Sequence, residues 1–306
     1  MKSLRGIISV LVLCLCLAPS CNKEKDKNPT VKTISGTISI GTMPSYVRTG
    51  DVFDFVLEQD LSLKEADIKA GKTISITISC EGGTISDSTA TGFRFTVADE
   101  PGDVIVRAVG SADGYSSKTA RLSAKSVCPA SLSVEREPAE TEIDGILWQR
   151  LNLDDSTVGG KAYLDEDALW DVLGGYYTGA EASSVCPSGY ALPTFDQWKQ
   201  LWDVAGNAGA IMARNATLNG VKMWDHYSDN VFTITDELNF SAVPCGYAVI
   251  ADGEWKFYGY GEYASFWVMD GSSPLCVQLY VEEPEYLTYK PSDPSLFAAS
   301  VRCVKE

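Results

Sequence analysis

From Thr33 to Ala124 the chain alternates apolar and polar residues with period two. Thr33-Ile-Ser-Gly-Thr-Ile-Ser-Ile40, Val52-Phe-Asp-Phe-Val56, Lys72-Thr-Ile-Ser-Ile-Thr-Ile78 and Phe93-Arg-Phe-Thr-Val97 alternate polar and apolar residues and are rich in β-branched and aromatic side chains. Successive side chains of an extended strand point to opposite faces, so this pattern buries one face and leaves the other in water. A helix, with period 3.6, cannot use it. Glycine-bearing turns separate the runs at Thr49-Gly-Asp51, Glu81-Gly-Gly83, Pro101-Gly-Asp103 and Ala112-Asp-Gly114. Only Ser62 to Ala70 reads as helical, for a turn or two. Short antiparallel strands at this spacing predict an all-β sandwich over residues 33–126.

Residues 141–306 have another texture. They hold all seven Trp and twelve of the fourteen Tyr. Thr194-Phe-Asp-Gln197 is a capping box, in which the Thr hydroxyl accepts from the backbone N–H three residues on and Gln197 reaches back. Trp198, Leu201, Trp202 and Ala205 then fall on one helical face, and Gly206 is a natural stop. Asp165 to Leu173 reads as a second, shorter helix ended by Gly174-Gly175. After residue 220 short strands and Gly-rich loops follow. The expectation is an α+β domain with short strands and about two helices. Between the two halves, residues 127–140 carry Pro129, Pro138, Glu135, Glu137 and Glu140 without periodicity, and read as a linker or a first edge strand.

The N-terminus reads as an export signal. Met1-Lys-Ser-Leu-Arg5 is basic, and Gly6 to Leu17 is an apolar run too short to span a bilayer comfortably. Ala18-Pro-Ser-Cys21 follows and resembles the lipobox of a bacterial lipoprotein, which implies cleavage after residue 20, lipid on Cys21 and a membrane-anchored N-terminus. Residues 21–32, with Asn-Lys-Glu-Lys-Asp-Lys-Asn at 22–28, read as a flexible tether. A charged stretch after the lipidated Cys resembles the surface-export signals of Bacteroidetes lipoproteins, so the expected place is the outer membrane, facing outward.

The formal net charge is −16, from 41 acidic and 25 basic side chains. Losing Lys2 and Arg5 with the signal leaves 23 basic side chains against 41 acidic ones, a net of −18. Such acidity argues against nucleic-acid partners, which need cationic contacts to phosphate. One histidine, His226, excludes the common multi-histidine zinc sites. No G-x-S-x-G and no P-loop occur, and His226 alone would have to serve any nucleophile. We therefore expect no cofactor, no metal and no catalysis. Of the nine Cys, Cys14 and Cys16 leave with the signal and Cys21 takes lipid. The remaining six, Cys80, Cys128, Cys186, Cys245, Cys276 and Cys303, read as disulfide formers in an oxidising compartment, with Cys80 and Cys128 equally readable as free buried thiols.

Three motifs stand in order: Glu142-Ile-Asp-Gly-Ile-Leu-Trp-Gln-Arg-Leu-Asn152, Val185-Cys-Pro-Ser-Gly-Tyr-Ala-Leu-Pro-Thr194 with Trp198 after it, and Ser300-Val-Arg-Cys-Val304. Together they resemble the Fibrobacter succinogenes major paralogous domain of exported Bacteroidetes lipoproteins, over about 165 residues. Tyr190 stands where that family usually has Trp, and Trp267-Val-Met-Asp270 where it has Trp-Ser-Ser. The resemblance implies a C-type-lectin-like fold related to formylglycine-generating domains, and no named activity. The late cysteine pair of the formylglycine-generating enzymes is missing here. A Cys186–Cys303 bridge would staple the C-terminus to the base of the capped helix, and the nested arrangement common in lectin-like domains implies Cys245–Cys276 as an inner pair. In the first half, Pro101-Gly-Asp-Val-Ile-Val-Arg-Ala-Val109, Ser111-Ala-Asp-Gly-Tyr115 and Lys118 to Ala124 resemble the last hairpin of bacterial Ig-like domains.

One feature points to recognition. Trp255, Phe257, Tyr258, Tyr260, Tyr263, Phe266 and Trp267 crowd a Gly-punctuated stretch, with Tyr280, Tyr286 and Tyr289 following. Aromatic rings beside carboxylates suit sugars, whose C–H faces stack while their hydroxyls donate. Tyr258, Tyr260 and Tyr263, separated by glycines, are expected to be exposed, with Glu262 or Asp252 as hydroxyl acceptors. The first functional reading is a lipid-anchored surface binding or adhesion protein for a glycan or a surface protein. The alternatives are a surface glycan hydrolase and a structural subunit of a fimbria-like assembly.

Overall fold

The computed structural model describes residues 31–224 and 232–306. The export signal, Cys21, most of the tether and His226 lie outside the described residues. The chain is a multi-domain fold dominated by β-sheet, with four α-helices among the described residues, only one longer than five residues.

In the first unit two four-stranded sheets share a core. One runs in the order Ile38–Ile40, Val52–Gln59, Gly92–Val97, Gly83–Ser86; the other runs Tyr46–Arg48, Lys118–Val127, Gly102–Ser111, Ser75–Glu81. The alternation does the work expected of it. Strand Gly102–Ser111 buries Val104, Val106 and Ala108 and turns the residues between them outward, and these meet Phe55, Phe93 and Phe95 from the facing sheet. The expected strand at 33–40 is broken in two, because Gly36 takes φ 86° and its position leaves no room for a Cβ, which would lie 2.4 Å from the Asp60 carbonyl oxygen. Lys32–Thr33 instead pairs with Tyr115–Ser116, over a small cluster of Ile34, Leu63 and Tyr115. Asp67 ties that cluster together, accepting from Lys32 Nζ and Tyr115 Oη, each at 2.6 Å.

The second unit is built around a larger core. Helix Phe195–Ala205 forms with the expected capping box, and Gly206 ends it in the left-handed conformation. Trp198, Leu201 and Ala205 are buried. The helix expected over Asp165–Leu173 is shorter. Asp165 has φ 60° and cannot be helical, so a 3-10 turn at Asp167–Leu169 runs into a single α-turn at Trp170–Leu173. A further helix, Gly179–Ala182, carries its own capping box from Thr178 and Glu181. The signal Thr-x-x-Glu stood in the sequence; the absence of an apolar run after it hid the helix.

The chain end is woven into the structure. Val304–Lys305 lies between Ile146–Gln149 and Tyr190–Ala191 in a four-stranded sheet. Next to it the Cys186–Cys303 disulfide joins Cα atoms 5.9 Å apart across a sequence separation of 117. Residues 127–140 are not free of their neighbours. Val127 and Leu132 are buried in the second core, Leu132 bridges to Leu218, and Arg150 donates to the Pro138 carbonyl. Arg48 Nε meets Asp171 at 2.7 Å, and the Ser45 amide donates to Glu166 at 3.0 Å, so the first unit also grips the short helical segment of the second.

Candidate functional site

The three sequence motifs converge on one buried place. Trp148 and Trp198 lie edge to face, and both pack against Phe240. Arg302 is 1% exposed and sits over the rings of Phe240 and Phe266, at 4.5 and 5.0 Å. Its guanidinium donates to Asn152 Oδ1 at 3.0 Å, to the Ser241 carbonyl at 2.9 Å and to the Phe240 carbonyl. Asn152 in turn donates to the Leu173 carbonyl and Ser300 Oγ. Burial pulls the Arg302 pKa down to about 9 against the attraction of Asp236, which leaves the group charged at neutral pH. The side-chain polar groups of Arg302 and Asn152 are each answered by another protein group, whereas the buried indole N–H groups of Trp148 and Trp198 have no partner among the described residues. The motif residues hold the fold together, since a buried cation needs such a cage of acceptors to be tolerated.

The two remaining core cysteines correct an expectation. Cys245 and Cys276 are separate, buried thiols rather than an inner pair. Cys245 Sγ faces Asn152 and the Leu173 carbonyl, whereas Cys276 lies on the middle strand of the sheet Tyr263–Asp270, Ser273–Tyr280, Leu287–Tyr289 with its Sγ on the Val277 carbonyl. Burial pushes the Cys245 thiol up to about 12 and that of Cys276 higher still. Cys80 and Cys128 are free and half-buried.

The aromatic cluster divides into three environments. Phe266 and Trp267 are core residues, 2% and 0% exposed. The hairpin Tyr247–Ala251 and Glu254–Tyr258 sorts the others by its register. Tyr247 pairs with Tyr258 on one face, while Ala248 pairs with Phe257 and Ile250 with Trp255 on the opposite face. On the first face Tyr258 (47% exposed) meets Tyr247 at 6.0 Å, Tyr247 meets Tyr263 at 6.0 Å, and Tyr263 stacks on Tyr280 at 4.6 Å. Tyr247 also stacks on Phe297, against which the exposed Tyr289 leans. Glu262 and Glu282 edge this surface, and the Tyr280 hydroxyl donates to Glu282 at 3.2 Å. Burial, then the nearby carboxylates, raises the phenol pKa values of Tyr263 and Tyr280, so both remain hydrogen-bond donors at neutral pH.

The expectation that Tyr258, Tyr260 and Tyr263 form one exposed set is therefore corrected. Tyr260 turns to the other face and stacks on Tyr163 at 4.8 Å; Tyr263 is half-buried between Tyr247 and Tyr280. Glu262 remains beside Tyr263. Asp252 occupies the tip of the hairpin with φ 55°, about 13 Å of strand away from Tyr258 by the rise per residue, and does not share its face. Tyr247 and Tyr280, not chosen from the sequence, complete the surface. The i, i+2 pattern of their strands was the available signal.

Among the described residues no group of three or more His, Cys, Asp or Glu is arranged to hold a metal ion, and no helix is long and apolar enough to cross a membrane. What the second unit defines is a disulfide-braced, β-rich domain with an aromatic outer face and a polar network sealed in its core. Residues 139–305 match the Fibrobacter succinogenes major domain, more than half of the chain, and the chain belongs to that family. A search of curated proteins returns no match. Among solved structures, the adhesin InvE of Yersinia pseudotuberculosis aligns at 10% identity over 89% of this chain and 70% of that one, with a TM-score of 0.27. A likeness at that score carries no argument.

Proposed function

We propose that this protein is a lipid-anchored binding protein of the outer cell surface whose family domain holds glycans on its tyrosine face. In this reading the first unit is an Ig-like stalk and the second a C-type-lectin-like head. The observation that carries it is the outward run of Tyr258, Tyr247, Tyr263 and Tyr280 edged by Glu262 and Glu282. Rings offer faces to sugar C–H groups, and carboxylates accept from hydroxyls.

A glycan array probed with the full chain and with Tyr258→Ala tests the site. Losing one exposed ring should weaken the best glycan by about 1 kcal/mol; an array with no hits, or hits indifferent to Tyr258, removes the reading. Export and anchoring rest on the N-terminal sequence alone. Cys21→Ala should release the processed protein from membranes, and a processed variant that stays in the membrane pellet would contradict lipidation at that residue.

A further inference from the structure

On the opposite side of the same hairpin lies a cleft of about 520 Å³ between the loop Lys161–Asp165 and the hairpin end. Its walls include Trp255, Phe257 and Leu164, with Lys161, Asp165 and Glu254 among them. Trp255 and Phe257 are half-buried and stacked, with centroids 6.4 Å apart and planes 30° apart. The size suits a small ligand. From the geometry we infer that this cleft is a second, independent binding site, which takes the pyranose ring of a neutral sugar with its C–H face on Trp255.

The loop is built as a fixed wall. Leu164 and Asp165 are consecutive non-glycine residues in the left-handed region, at φ 57° and 60°. Such residues persist only when their surroundings over-determine them, and they gather at ligand sites. Here the surroundings are explicit. Tyr163 stacks on Tyr260 and meets Phe257 edge to face. Lys161 Nζ pairs with Asp165 at 2.5 Å. The Asp165 amide donates to the Ala162 carbonyl. The Glu166 carboxylate accepts from the Ser45 amide of the first unit. The outcome is Leu164, an apolar side chain 49% exposed, held at the cleft.

The chemistry of the walls selects the ligand class. A purely apolar ligand would strip water from Lys161, Asp165 and Glu254 and return no hydrogen bond, which is costly. An anion would meet two carboxylates and a single ammonium already paired with one of them. A neutral polyhydroxylated ring satisfies both halves: its C–H face covers the indole, and its hydroxyls donate to Asp165 and Glu254 and accept from Lys161. The site is separate from the tyrosine face, because neighbouring residues of one strand, Phe257 and Tyr258, point to opposite sides.

The test is calorimetric titration of the full chain with methyl β-glucoside, methyl β-galactoside, methyl α-mannoside and N-acetylglucosamine. At least one should bind with a Kd on the order of 1 mM. Trp255→Ala should weaken that ligand by about tenfold and Tyr258→Ala should leave it unchanged. Leu164→Gly, which relieves the backbone, should weaken it without lowering the melting temperature; it and Glu254→Gln decide the matter if Trp255→Ala does not fold. Absence of binding across the panel overturns the proposal, as does binding that survives every cleft variant. Binding lost in Tyr258→Ala alone would assign the sugar to the tyrosine face and leave that reading standing without this one.

Discussion

Replacing both Cys186 and Cys303 by Ala should unmake the second unit from its C-terminal end. The bridge closes a loop whose ends are 117 residues apart in sequence. Chain entropy for a loop of that length gives a stabilisation of about 5 kcal/mol at 25 °C. The structure says where that energy acts. Val304–Lys305 is a two-residue strand placed in the interior of a sheet, with Val304 opposite Trp148 on one side and Ala191 on the other. A strand so short and so near the chain end frays unless it is held, and the disulfide fastens it one residue away. For a unit of this size, 5 kcal/mol corresponds to a fall in melting temperature of roughly 10–20 °C. The assay is a circular-dichroism melt of wild type and double variant, each with and without reductant. Reductant should lower the wild type to the level of the variant and leave the variant unmoved. A fall of under about 3 °C would refute the reasoning, and so would a free Cys303 thiol in unreduced peptide maps.

Tyr260→Ala should cost about 2 kcal/mol of stability, because its ring covers Tyr163, whereas Tyr258→Ala should stay within about 0.5 kcal/mol; equal losses in paired melts would show that the two faces have been misread. Arg302→Met keeps the volume between Phe240 and Phe266 but strands the Asn152, Phe240 and Ser241 oxygens, so a loss of about 3–5 kcal/mol is expected in denaturant titrations, and a neutral result would mean the cage is dispensable. The bonds from Lys32 and then Tyr115 hold the Asp67 carboxyl below its ordinary 3.8. A lowered carboxylate pKa contributes stability that is complete above the unfolded value and lost as pH falls through the folded one. Amide protection at Tyr115–Ser116 should therefore weaken below pH 3.8 in wild type, and Asp67→Asn should be weak at every pH; a pH-independent wild type would rule the link out.

Much of the architecture is legible in local pattern. The period-two runs mark strands because alternate side chains must share a face, whatever lies opposite. The box at Thr194 and Gln197 with Gly206 delimits a helix because caps and stops act on bonds within one turn. The terminal Val-Arg-Cys and the Cys-Pro before the helix name the bridge, since the family resemblance sets them side by side. Where a backbone angle depends on a distant neighbour, local pattern fails. Nothing near Gly36 announces the Asp60 carbonyl that interrupts its strand, and nothing near Asp165 announces the left-handed pair that shortens its helix.

The candidate site shows the same division more sharply. That the stretch from Trp255 to Trp267 is aromatic is a property of the sequence. Which rings meet water is not, because exposure depends on what the rest of the chain lays over each face. Tyr163, almost a hundred residues upstream, covers Tyr260; Tyr280 returns from the next strand to flank Tyr263; Tyr258 meets neither and stays open. Cys245 and Cys276 are likewise a plausible pair by count and two isolated thiols in space. Residue type and spacing fix what a segment is able to do, whereas pairings between distant segments decide which of those capacities reach the surface, because burial is set by contacts that no local window contains.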